Sequence, residues 1–150
     1  TKKQLLGVFD KKWIDIHVKV LKELGSEHVL VVHGLDGLDE LSLSSNSYVA
    51  ELKNNKIIEY FFNPQDIGYE LFTVDKIKGG DAKYNAKEII KMLHGDNNYF
   101  QQIVEINSGA VIYLSGIAQN IKEGAEIAKK FINNGKAKSY FESLIKYTNN

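Results

Sequence analysis

Val29-Leu30-Val31-Val32, set between His28 and His33, is a continuous apolar run, and it restricts the possible folds more than any other segment. A strand with one wetted face alternates apolar and polar residues. A continuous run instead implies cover on both faces, as in the sheet of an α/β domain. The flanking sequence agrees. Gln4 to Phe9 reads as a short buried strand, and Asp10 stands where a helix N-cap belongs. Trp13, Ile14, Ile16, Val18, Val20, Leu21 and Leu24 recur at largely helical spacing, and Gly25 falls at the usual place for a left-handed C-cap. Strand, helix and strand within about 35 residues predict a right-handed crossover between parallel strands.

Beyond Gly34 the pattern changes. Tyr48 to Lys53 and Lys56 to Phe62 read as strands joined at Asn54-Asn55, a hairpin turn because Asn tolerates positive φ. Asn63 to Lys78 is irregular and holds the only proline, Pro64. Four helical patterns follow, over residues 85–93, 98–114, 121–133 and 137–147, punctuated by Gly95, Gly116 and Gly135. The expected fold class is α/β: part of a mixed, mostly parallel sheet with flanking helices and a helical second half.

Charge and composition exclude several functions. Nineteen basic and nineteen acidic residues cancel and are mixed along the chain, so no block neutralises a row of phosphates and no nucleic-acid partner is expected. Without cysteine there are no disulfides, thiolate metal sites or cysteine nucleophiles, which fits a cytoplasmic setting. No segment is apolar for long enough to predict a membrane helix, and Thr1 to Gln4 do not read as a targeting peptide.

The loop Gly34-Leu35-Asp36-Gly37-Leu38-Asp39-Glu40-Leu41-Ser42 starts where the apolar strand ends. Ligands of open α/β sheets bind beyond the C-terminal ends of parallel strands. Three carboxylates within five residues, with no lysine or arginine nearby, repel one another, and a divalent cation relieves that repulsion. A few hard oxygen ligands suit Mg²⁺, which keeps waters and bridges to a substrate phosphate. Asp39 and Glu40 are the candidate ligands; Asp36 is the weakest of the three, since it fits turn chemistry and needs no ligand. The plainer alternative is a polar turn with solvated acids.

Several segments in order carry a resemblance. Residues 31–42, Val-Val-His-Gly-Leu-Asp-Gly-Leu-Asp-Glu-Leu-Ser, closely resemble a signature of the anthranilate phosphoribosyltransferases. Gly79-Gly80-Asp81-Ala82-Lys83-Tyr84-Asn85-Ala86, Ile106-Asn107-Ser108-Gly109-Ala110, Leu114-Ser115-Gly116-Ile117-Ala118, Lys122-Glu123-Gly124 and Ile132-Asn133-Asn134-Gly135-Lys136-Ala137 resemble further family segments. The resemblance implies transfer of a phosphoribosyl group from phosphoribosyl pyrophosphate to the amine of anthranilate, in tryptophan biosynthesis. It implies Mg²⁺ as cofactor, held near the diphosphate at Asp39 and Glu40.

The same resemblance implies a helical domain beside a larger α/β domain, with residues 1–150 as the C-terminal portion of the latter. The family's Gly-Thr-Gly-Gly-Asp diphosphate loop, its Lys-His-Gly-Asn stretch and its N-terminal helical domain have no counterpart in these residues. The chain alone is therefore expected to be inactive. Its expected partners are the two substrates, the N-terminal portion and, for the complete enzyme, a second copy in a homodimer. A non-catalytic interaction domain and a nucleoside phosphorylase-like enzyme are the alternatives.

No catalytic base or nucleophile stands out. Ser42 has no His or Lys close in sequence to activate it, and His17, His28, His33 and His94 show no metal spacing. Asp81 and Asn85 open a helix after two glycines, and read either as substrate contacts or as a cap and turn. Asn107 interrupts an apolar helix face and reads as a structural bridge to a neighbouring loop.

Overall fold

The computed structural model describes residues 1–96 and 98–149. Four strands form one mixed sheet in chain order: β1 (Lys3–Gly7), β2 (His28–Gly34), β3 (Ser47–Lys53) and β4 (Lys56–Phe62). β1 pairs with β2 in parallel, Lys3 opposite His28 and Gly7 opposite Val32. The pairings of β2 with β3 and of β3 with β4 are antiparallel. Among the described residues, parallel character is thus confined to the β1–β2 pair that α1 (Lys12–Glu23) connects. For β3 and β4 the cause is connection length: two residues join them, which permits only a hairpin. Asn54 and Asn55 have φ of 50° and 61°, the left-handed pair that a tight hairpin turn demands.

The apolar run in β2 is covered on both faces, as read. Val29 and Val31 pack with Ala50 and Leu52 against Ile14 and Val18 of α1. Leu30, Val32 and Val49 face the other way, onto Ile103, Ile106, Ala110 and Leu114 of α3 (Tyr99–Ser115). Successive residues alternate faces because the side-chain period of a strand is two. The N-cap of α1 is Lys11 rather than Asp10, which stands one residue earlier, its Oδ1 accepting the Lys12 N–H at 3.0 Å. Gly25 adopts φ +80° just beyond that helix.

The second half is helical: α2 (Ala82–Leu93), α3, α4 (Ile121–Asn133) and α5 (Lys136–Thr148). Asp81, Asn98 and Asn120 cap the first three, each accepting a backbone N–H from the first turn. α3 and α4 cross with backbones in contact. A Cβ added at Gly124 would lie 2.8 Å from the Gly109 carbonyl carbon, and one at Gly109 would lie 2.8 Å from Ala125 Cα. Only paired glycines allow that approach of α3 and α4. Residues 63–78 are irregular apart from two short 3₁₀ turns, Pro64–Ile67 and Val74–Ile77. Among the described residues, no helix is long and apolar enough to cross a membrane.

Candidate metal centre

The acidic loop lies where the two parallel strands end. Val8 N–H donates to Val32 O at 2.9 Å, extending the pairing one step past β1. His33 donates from Nδ1 to Val8 O at 2.9 Å, so this histidine ties the two strand ends together. Beyond it the loop folds on itself. Gly34 N–H donates to Leu38 O at 2.8 Å and Gly37 N–H to Gly34 O at 2.9 Å, with Gly37 at φ +96°. A Cβ at Gly34 would stand 3.2 Å from Ser42 Cβ and 3.3 Å from Leu38 O, so the turn closes tightly over this residue.

The three carboxylates of the loop have different surroundings. Asp36 is consumed by the fold. It accepts hydrogen bonds from the hydroxyls of Ser42 and Ser44 and from Leu38 N–H, while its own N–H donates to Ser45 Oγ. Burial acts to raise its pKa, but the Ser42 and Ser44 hydroxyls and the Leu38 amide outweigh that and hold it below the usual carboxylate range. Ser42 is therefore spent as a donor within the loop, in line with the absence of an activating base.

Asp39 and Glu40 are placed differently. Asp39 is exposed and Glu40 half-buried, and neither carboxylate has a hydrogen bond or ion pair among the described residues. Burial, then the charges of Asp39 and Asp36, push Glu40 above its ordinary pKa. Its surroundings thus penalise the anion and would reward a nearby cation. Two free, adjacent hard-oxygen donors fit a divalent ion that takes its remaining ligands from water and substrate. Among the described residues no cluster of three or more metal-ligating side chains exists, so such an ion would not be enclosed by protein.

Two anchors hold the pair in position. Asn107 of α3 accepts the Leu41 N–H at Oδ1 and donates from Nδ2 to the Leu41 and Ile103 carbonyls, all at 3.0 Å. Leu41 is fully buried, so these bonds satisfy groups that water does not reach. This is the structural bridge read for Asn107. The second anchor is Gly7, the last residue of β1. A Cβ there would overlap the Asp39 carbonyl and come 3.3 Å from Asp39 Cα, so the loop backbone occupies the space a side chain would fill. Sequence reasoning passed over Gly7, although an isolated glycine in a strand is the known signal of close backbone approach.

Asp81 and Asn85 are not joined to this loop by any hydrogen bond among the described residues. Asp81 Oδ1 accepts Tyr84 N–H at 2.7 Å as the α2 cap, and Asn85 brackets Gly80 through its N–H at 2.8 Å and its carbonyl at 3.1 Å. In this geometry both are engaged as a cap and a turn.

The chain is 45% identical to an anthranilate phosphoribosyltransferase from Marinomonas over 147 residues, 97% of the chain and 42% of that relative. Its fold matches the crystal structure of anthranilate phosphoribosyltransferase from Thermus thermophilus with a TM-score of 0.87 at 28% identity, over 96% of this chain and 42% of that one. It also matches the Saccharomyces cerevisiae enzyme in complex with PRPP and Mg, with a TM-score of 0.83 at 28% identity, over 94% and 41% respectively. The chain thus spans well under half the length of these relatives. Residues 1–138 match the family model described as the glycosyl transferase family, a/b domain, and the chain belongs to that family.

Proposed function

We propose that this chain carries the metal loop of an anthranilate phosphoribosyltransferase, with Asp39 and Glu40 holding Mg²⁺ against the diphosphate of phosphoribosyl pyrophosphate. The observation that carries the reading is the unpaired Asp39–Glu40 couple, held at the ends of β1 and β2 by Gly7 and Asn107. The relatives and structures compared above all bear that enzyme's name, which favours it over a nucleoside phosphorylase-like activity.

The reaction breaks the bond between the anomeric carbon and diphosphate and forms one to the amine nitrogen of anthranilate. When bound, the cation neutralises charge on the leaving diphosphate. The residues of this chain orient rather than transfer protons. Asp36, Ser42 and Ser44 stiffen the loop, Asn107 fixes Leu41, and His33 locks the strand ends. Anthranilate's aromatic amine attacks without prior deprotonation, and the proton it sheds once the bond has formed passes to the departing diphosphate or to water, so the loop needs no general base.

In the same proposal, residues 1–150 are the C-terminal portion of the α/β domain. The glycine-rich diphosphate loop and helical domain come from the N-terminal portion, the complete enzyme pairs as a homodimer, and its setting is cytoplasmic. The test is phosphoribosyl pyrophosphate-dependent consumption of anthranilate, followed by its fluorescence. The expected result is no turnover by the chain alone, and turnover when it is mixed with the separately produced N-terminal portion of the Marinomonas relative. Asp39→Ala with Glu40→Ala should lower that rate by at least about a hundredfold, the equivalent of about 2.7 kcal/mol. Unchanged turnover by the double variant would overturn the assignment.

A further inference from the structure

A second cleft lies away from the acidic loop. Residues 67–72, the first turn of α3 and one face of α4 enclose a cavity of about 430 Å³, and none of residues 34–42 lines it. One wall is aromatic. The rings of Phe72 and Tyr99 pack with centroids 4.7 Å apart. Tyr69 is fixed beside them, because its hydroxyl donates at 2.7 Å to Glu105, a fully buried carboxylate on α3.

The rest of the lining is charged, with both signs present. Lys122, Glu126 and Lys129 project from α4, and Glu70 comes from the facing segment. None of the four has an ion-pair partner among the described residues. Lys122 and Glu126 are four apart, and Glu126 and Lys129 three apart, spacings at which a helix permits direct pairing. Here cations and anions stand free around one cavity.

We propose that this cleft binds an aromatic α-amino acid, its ring against Tyr69, Phe72 and Tyr99, its carboxylate toward Lys122 and Lys129, and its ammonium toward Glu126 and Glu70. The charge pattern selects the zwitterion. An aromatic carboxylate alone would leave two glutamates facing an anion, and an aromatic amine alone would leave two lysines facing a cation. Volume agrees, since about 300 Å³ and upward is the usual range for a small-molecule cleft. The site also touches the acidic loop at one remove. Phe72 N–H donates to Leu43 O at 3.0 Å, and the fully buried Leu43 directly follows Ser42.

The test is a titration of the ¹⁵N-labelled chain with L-phenylalanine, L-tyrosine and L-tryptophan, with phenylacetate and phenethylamine as probes lacking one charge each. The expected result is saturable shifts of the amides of residues 69–72 and 122–129 for at least one amino acid, with both single-charge probes at least fivefold weaker. Lys129→Ala and Glu126→Ala should each weaken the amino acid about fivefold, the upper end for an exposed ion pair. Both side chains are exposed and unpaired, so the melting temperature of either variant should match that of the parent chain. No saturable shift with any of the three, shifts elsewhere, equal binding of the single-charge probes, or unchanged affinity in both variants would overturn the proposal.

Discussion

Replacing Asn107 with alanine should unfasten the acidic loop from α3. Three hydrogen bonds disappear, two of them to the backbone of Leu41, a residue with no exposed surface. The Ile103 carbonyl still lies within the α3 backbone ladder, so the loss falls on Leu41. Leaving a buried donor and a buried acceptor unsatisfied costs about 1–3 kcal/mol each. Asn107 is itself only half-buried, and water entering its place would recover part of that. The expected destabilisation is therefore about 2–4 kcal/mol. Urea unfolding checks it: the midpoint should fall while the slope stays constant, since the folded state keeps its compactness. Asn107→Asp sharpens the test. It preserves an acceptor for Leu41 N–H but sets a carboxylate oxygen against the Leu41 carbonyl, so it should be at least as damaging at neutral pH and recover when acidified. Ser108→Ala, one residue along the same helix, should change stability by less than about 0.5 kcal/mol, as neutral substitutions do. A midpoint for Asn107→Ala within that same margin would refute the view that these bonds hold the loop.

Other expectations follow from the same geometry. Gly7→Ala must push the Asp39 carbonyl away from β1, at about 1–3 kcal/mol in stability as for other overpacked sites, and should weaken Mg²⁺ binding disproportionately; retained affinity would show that Gly7 does not set the loop. Glu40 binds its proton more tightly folded than unfolded, so its contribution to stability is present below the ordinary carboxylate value of 4.5 and lost as pH rises toward its raised value. The metal-free melting temperature should decline slightly across that window, and Glu40→Gln should remove the decline; Mg²⁺ affinity should rise over the same range with proton release, read by calorimetry in buffers of different ionisation enthalpy. The outer face of α1, where Ile16, Val20 and the following Leu24 are at least half exposed, together with the open β1 edge of the sheet, should make the isolated chain self-associate. Sedimentation velocity checks this: Ile16→Lys with Val20→Lys should restore a monomer, and a monomeric parent chain would contradict it.

Much of this architecture could be read from residue order because the relevant physics is local. Asn54-Asn55 dictates its own turn, Gly25, Gly95, Gly116 and Gly135 all adopt the positive φ expected where helices stop, and Ile121–Asn133 begins and ends as its spacing indicates. The acidic loop was equally legible, since its position follows from the strand before it. What escaped notice depends on partners distant in sequence. The need of Asn107 for a partner can be inferred from its apolar surroundings, but Leu41, sixty-six residues earlier, cannot be identified that way. An isolated strand glycine such as Gly7 signals close backbone approach, but only the folded chain identifies Asp39 as what approaches it. His28, read only for metal spacing, is instead buried against Glu51, its Nε2 donating to the carboxylate at 2.8 Å while Tyr113 donates to the same oxygen at 2.6 Å. The segment 63–78 carries no periodicity because its order comes from tertiary contacts: Tyr69 with Glu105, and Phe72 with Leu43.

The most direct measurement is a calorimetric titration of Mg²⁺ and phosphoribosyl pyrophosphate together into the purified chain, with the Asp39→Ala, Glu40→Ala variant beside it. The expected result is heat that requires both ligands and vanishes in the variant. Heat of the same size in the variant, or none in either protein, would contradict a working metal half-site on this chain.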